Sequence, residues 1–312
     1  MRTSLSRRQF LAGGMTGVGA AFALGPRIVQ AAPEIGHFRY CLNSGVLRGY
    51  ELGVVEQVEI AARAGYDGIE PWISDLEGFV TAGGSLTDLR RRIADHGLAV
   101  ESAIGFAEWI VEDPSRRAAG LEKARRDMEL VSRIGGGRIA APPAGAVRGP
   151  KLELDAIADR YRAVLEAGAD VGVVPQLEVW GFAANLSRLA ESTYVVIRAG
   201  HPDACLLPDV YHLYKGGSGF EGLRQLSPHA VQVFHLNDYP DIPRETIEDE
   251  DRVLPGEGVA PLEKILGILR HNGCRPALSL ELFNRGYWER FEASELAARG
   301  LASMKAGVAR LG

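Results

Sequence analysis

From residue 37 onward, short apolar runs alternate with longer amphipathic ones. HFRYCLN (37–43) reads as a first strand. ELGVVEQVEIAARAG (51–65) reads as a helix, because its apolar residues recur at helical spacing and a glycine closes it. YDGIEPW (66–72) is a second strand, and SLTDLRRRIADHG (85–97) a helix with Ser85 or Thr87 as its cap. LAVESAIGF (98–106) is a third strand, followed by a long charged amphipathic helix over 115–134. GGRIAAPP (136–143) is strand four, and ELDAIADRYRAVLEAGA (153–169) the helix after it.

The second half keeps the rhythm. VGVVPQLEVW (171–180) is strand five, with a helix over 183–192. DACLLPDVYH (203–212), AVQVFHLND (230–238) and PALSLELFN (276–284) are strands six to eight. Helices are predicted over 261–272 and 289–308, and 237–260 is a long loop. Eight strand–helix units without a long dividing linker predict one α/β domain, a (β/α)8 TIM barrel over 32–312, rather than an open doubly wound sheet. No glycine-rich dinucleotide fingerprint follows the first strand, and no Walker-type phosphate loop occurs.

A barrel places its chemistry at the C-terminal ends of its strands. The apolar runs end on Glu70, Glu178, Asp209, His235 and Glu281. The last four fall on consecutive strands, five to eight, so they can surround one point at the barrel mouth. Three carboxylates and one imidazole suit a single divalent cation, Mn²⁺ first, with Mg²⁺, Co²⁺ or Zn²⁺ as alternatives. Without a cation, three buried carboxylates repel and raise one another's pKa. His212 reads as a substrate-binding group or a loop histidine, and Asp238 as an orienting or substrate-binding acid or a loop cap. The PGEG turn in DRVLPGEG can fold the long loop back and aim Arg252 inward. Glu70 is a further substrate-binding candidate. Trp72, Trp109 and Trp180 are either a sugar-binding wall or packing at the barrel rim, and His37 is a minor site candidate.

Composition adds a compartment and removes some partners. Net charge is -5 across 312 residues, which gives no nucleic-acid footprint. SRRQFL precedes a weakly apolar, glycine-rich run (10–24), and small residues follow at Ala31 and Ala32. This order predicts a twin-arginine-type signal peptide over 1–31, recognition by the twin-arginine export machinery, and a periplasmic location. A membrane-anchoring helix is the competing reading. Cys41, Cys205 and Cys274 are odd in number and widely spaced, so they read as buried free thiols.

The segments AARAGYDGIEPW, LEVWG, DVYH, VFHLND, DRVLPGEG and LSLELFN resemble the sugar phosphate isomerase/epimerase superfamily, the xylose isomerase-like TIM barrels, across most of 36–308. That superfamily includes ketose 3-epimerases, inosose isomerases and dehydratases, and endonuclease IV. The resemblance implies that Glu178, Asp209, His235 and Glu281 hold the metal. It also implies that Glu178 and Glu281 double as acid and base, and that His212 and Arg252 contact substrate oxygens. The expected activity is isomerisation or epimerisation of a ketose or keto-cyclitol through an enediolate. A dehydratase or 3-keto-glycoside lyase would use the same proton abstraction. The rivals of other classes are a non-catalytic carbohydrate-binding barrel and a metal-dependent hydrolase or nuclease. The expected partner is a small carbohydrate, with homo-oligomerisation left open.

Overall fold

The computed structural model describes residues 38–311. The expected signal segment (1–31) and His37 lie outside these residues. The eight strands are β1 (Arg39–Asn43), β2 (Gly68–Glu70), β3 (Ala99–Val100), β4 (Arg138–Ala141), β5 (Val174–Glu178), β6 (Leu206–Leu207), β7 (Val233–Leu236) and β8 (Ala277–Leu280). The helices are α1 (Val54–Ala64), α2 (Ile73–Thr81), α3 (Leu86–Asp95), α4 (Pro114–Arg133), α5 (Leu154–Ala169), α6 (Leu189–Ala199), α7 (Val210–Lys215), α8 (Leu262–His271), α9 (Arg285–Arg290) and α10 (Ala293–Ala309).

All strand pairs are parallel, in the orders β3-β2-β1-β8-β7 and β4-β5-β6. Single bridges, Leu206 to Val231 and Asp209 to His235, join β6 to β7. The Ala140 amide donates to the Ala103 carbonyl at 2.8 Å and joins β4 to the segment after β3. The result is the (β/α)8 barrel that the strand–helix rhythm predicts.

Strand alternation then sorts the side chains. Val233 and Ala277 join Cys41, Ile104, Ala140 and Leu207 in a small cluster inside the barrel. Phe234, Leu236, Leu278 and Leu280 point the other way, into the main core shared with the helices. Full burial of a side chain such as Phe234 contributes roughly 1.5–3 kcal/mol. The same alternation turns His235, Ser279 and Asn43 inward. All three cysteines are buried and free, as expected.

Several boundaries differ from the predicted ones. The hydrogen-bonded ladders are shorter than the apolar runs. Strand three is two residues plus an isolated bridge from Ile104 to Trp72. The helix predicted at 183–192 begins only at Leu189. The preceding loop is closed by Trp180 N donating to Leu186 O, with Leu186 at φ 56°, and Asn185 ties it to Ala146 and Leu152. DVYH is not strand. Pro208 lacks an amide proton, and Asp209 caps α7 by accepting from the His212 amide at 2.8 Å. His212 therefore sits in a helical first turn rather than a loop. Ser85 caps α3 as read from the sequence. Helices α2 and α9 were not foreseen. Both begin on loop residues just past a strand end, where the apolar pattern is too short to show a period.

Candidate metal centre and active site

Strands β5, β6, β7 and β8 bring Glu178, Asp209, His235 and Glu281 together. His235 Nδ1 lies 3.2 Å from Glu281 Oε2, 3.8 Å from Asp209 Oδ2 and 3.9 Å from Glu178 Oε1. One ligand atom from each of Glu178, His235 and Glu281 falls within 4.8 Å of the others. His235 Nδ1 and Glu178 Oε2 are buried without a hydrogen-bond partner. Unpaired buried polar atoms are expensive, and a cation among three carboxylates and an imidazole would satisfy them. The donor set therefore fits a divalent ion. Asp209 is adjacent, but its Oδ2 already accepts from Asn237 Nδ2 at 2.8 Å and Arg252 Nη1 at 3.3 Å.

The charges in the cluster bear strongly on one another. Burial pushes Glu178 up to about 8, against the pull of His235 and with the repulsion of Glu281. Burial likewise raises Asp209 to about 6, although Arg252 opposes it. Burial also works against the carboxylate of Glu281, but His235 and Arg252 overcome it and hold Glu281 well below its ordinary range. His235 is the counterpart. Burial disfavours its charge, yet Glu281 and Glu70 raise it well above normal. Burial and the neighbouring guanidinium depress His212, so it is neutral near pH 7.

Arg252 does reach back from the long loop. It is fully buried, donating from Nη1 to Glu281 Oε2 at 2.9 Å and from Nη2 to Asp249 and to His212 Nε2. Its guanidinium lies over Tyr211 at 4.3 Å and Phe283 at 5.1 Å. Because His212 Nε2 accepts, Nδ1 carries the ring proton and is left as an unpaired donor.

A cavity of about 280 Å³ opens over the cluster, with Glu178, Glu281, His212, Arg252 and Asp249 as its polar lining. Its walls are Trp72, Ile104, Phe106, Trp180, Phe182 and Phe283. Rings touch in sequence around it, Phe283 to Trp72, Trp72 to Phe106, Phe106 to Trp180, and Trp180 to Phe182, at centroid distances of 5.0–6.1 Å. A larger groove between α4 and α5, about 520 Å³, carries only Asp159, Arg117 and Arg160 as charged lining and holds no such cluster.

Three expected residues sit elsewhere. Asp238 turns its carboxylate onto the backbone amides of Tyr239, Gly256 and Ala260, so it caps the PGEG loop rather than facing the cavity. Trp109 is core: it packs on Tyr161 and donates to the Pro142 carbonyl. Glu70 is fully buried behind His235, accepting at Oε2 from His235 Nε2, and does not line the cavity. The polar-residue-at-strand-end rule passed over Asn43 and Asn237, although both end apolar runs. Asn43 donates to Glu281 Oε1 at 3.0 Å, and Asn237 donates to Asp209 Oδ2. Phe106, Phe182, Phe283 and Asp249 carry no sequence signal beyond their place in loops after strands.

Known proteins show the same architecture. The family profile described as Xylose isomerase-like TIM barrel matches residues 58–307. Inosose isomerase of Bacillus velezensis is 27% identical over 239 residues, covering 75% of this chain and 85% of the relative. The 3-dehydroshikimate dehydratase of Pseudomonas aeruginosa is 27% identical over 74% of this chain but only 36% of its own length, so this chain spans about a third of that relative. Among solved structures, the IOLI protein with a binding zinc atom superposes with a TM-score of 0.79 at 23% identity, over 88% of this chain and 99% of that one. D-psicose 3-epimerase in the presence of D-fructose superposes with a TM-score of 0.71 at 17% identity, over 88% and 99%. These two likenesses speak to the fold. With a barrel matched along most of its length and a cluster able to hold a metal at its mouth, the chain belongs to the xylose isomerase-like TIM barrel family.

Proposed function

We propose that the protein is a divalent-metal-dependent isomerase or epimerase of an uncharged ketose or keto-cyclitol. The observation that carries this reading is the convergence of Glu178, Asp209, His235 and Glu281 beneath an aromatic-walled cavity. A bound cation, with Mn²⁺ the first expectation, would polarise the substrate carbonyl and offset the negative charge of an enediolate. Either Glu178 or Glu281 removes the proton beside the carbonyl, and the other returns one to the opposite face or to the neighbouring carbon. His212 lines the cavity and keeps an unpaired, buried Nδ1–H, and Trp180 and Trp72 cover apolar ring faces. Arg252 is the single cation in the lining and is already engaged by carboxylates, which favours an uncharged substrate over an acidic or phosphorylated one.

A second reading is supported by the dehydratase relatives. If the substrate carries a leaving group β to its carbonyl, the same proton abstraction leads to elimination, as in a dehydratase or a 3-keto-glycoside lyase. Export of a mature barrel starting near residue 32 remains part of the proposal, supported by the SRRQFL motif before the apolar run.

The test is incubation of metal-loaded protein in D₂O with ketoses, keto-cyclitols and 3-keto-glycosides. Deuterium should enter at the carbon beside the carbonyl, and product analysis separates epimerisation from elimination. Glu178→Gln and Glu281→Gln should each slow exchange by roughly 10²–10⁴-fold. Exchange that survives both substitutions, or is absent with every substrate, defeats the proposal.

A further inference from the structure

We infer that Glu70 is a positioning residue that decides which nitrogen of His235 meets the cation, holding Nε2–H so that Nδ1 is the ligating atom. This deepens the metal-dependent reading above and rests on it. Both side chains are fully shielded from solvent. His235 Nε2 lies 3.0 Å from Glu70 Oε2. The same oxygen accepts from Ser279 Oγ at 2.7 Å and from Asn43 Nδ2 at 3.0 Å. An oxygen already receiving two hydrogens is an acceptor toward its third partner, so the ring hydrogen sits on Nε2. In its neutral form, the one a cation binds, the ring then has its lone pair on Nδ1, the unpaired atom that faces Glu178, Asp209 and Glu281.

Strand register builds this arrangement. Asn43 stands opposite Glu70 on β1 and β2, and Ser279 stands opposite His235 on β8 and β7. Asn43 uses every hydrogen-bonding position it has. Its second amide hydrogen goes to Glu281 Oε1, and its Oδ1 accepts from the Gly45 amide and from Trp72 Nε1. One carboxamide thus ties the orienter of His235 to Glu281 and to the cavity wall. Partners of this kind fix the orientation of a ligating histidine, and their loss typically weakens metal affinity by about 10- to 100-fold.

The experiment uses the full barrel with histidine labelled with nitrogen-15 and loaded with Zn²⁺, together with Glu70→Gln. Zn²⁺ affinity is read by chelator competition, and ring protonation by nitrogen NMR. The expected result is a zinc-bound Nδ1 and a protonated Nε2 in the unaltered protein. Glu70→Gln should bind Zn²⁺ about 10- to 100-fold more weakly while still unfolding cooperatively. Zinc on Nε2 in the unaltered protein overturns the inference even if the variant does not fold. Equal Zn²⁺ affinity in a folded Glu70→Gln protein overturns it as well. An unaltered protein that binds no divalent cation removes the metal-dependent reading itself, and this inference with it.

Discussion

At the scale of single residues, the site is a set of buried charges that a cation would reconcile. Glu178 is the clearest case, because burial lifts its carboxyl from the ordinary range to about 8. Its folded pKa is raised above the unfolded value, so its contribution to the stability of the metal-free protein is present at low pH. That contribution is lost as pH rises through about 8. A metal requires the carboxylate, so binding at pH 7 should expel the Glu178 proton, and affinity should climb with pH up to about 8. His235, held well above its usual value by Glu281 and Glu70 against burial, adds to the release. Calorimetric titration with Mn²⁺ in two buffers of different ionisation enthalpy measures this release directly, and a buffer-independent heat would refute it. The four clustered residues were legible in the sequence because each closes an apolar run. The partners that orient them were less so. Asn43 ends its run as plainly as Glu178 does, but an amide carries no charge and no obvious chemistry until its four neighbours are known.

Among the elements, the loop after β5 matters most, because it carries Trp180 and Phe182 against α7, which carries His212. The two meet at glycine. A Cβ on Gly181 would lie 2.3 Å from the His212 carbonyl oxygen and 2.6 Å from the Gly216 amide nitrogen, both backbone atoms. Gly181→Ala should therefore force the loop off α7, destabilise the barrel by about 1–3 kcal/mol and raise KM by displacing the aromatic wall. Gly78→Ala in α2 is the control, since nothing lies within 4 Å of its Cβ. There the gain in helix propensity should stabilise by about 0.5–1 kcal/mol. Denaturant unfolding and steady-state kinetics on the two variants check both outcomes. The first part of the helix predicted at 183–192 is this same loop, and only 189–192 is helical. Local periodicity cannot see Asn185 anchoring the chain to Ala146 and Leu152, nor the Trp180–Leu186 closure.

For the whole molecule, the barrel explains why Glu178, Asp209, His235 and Glu281, far apart in sequence, meet at one candidate cation site, and the proposed export of that barrel can be tested directly. If residues 1–31 direct twin-arginine export, replacing both Arg7 and Arg8 with lysine should retain the uncleaved chain in the cytoplasm of its native host. Fractionation and mass measurement of the chain decide this, and normal export of the double variant would contradict it. The sequence by itself determined the strand–helix alternation, the barrel class, the convergence of four strand-end polar residues and the free cysteines. It could do so because period-2 and period-3.6 patterns and strand-end polarity are local properties of the chain. Only the tertiary structure decided that Glu70 stands behind His235, that Asp238 serves the loop, and that five aromatic rings and one buried arginine enclose the cavity. Those facts depend on strand register and on loops folding back across the mouth, and side chains meet there through space rather than along the chain.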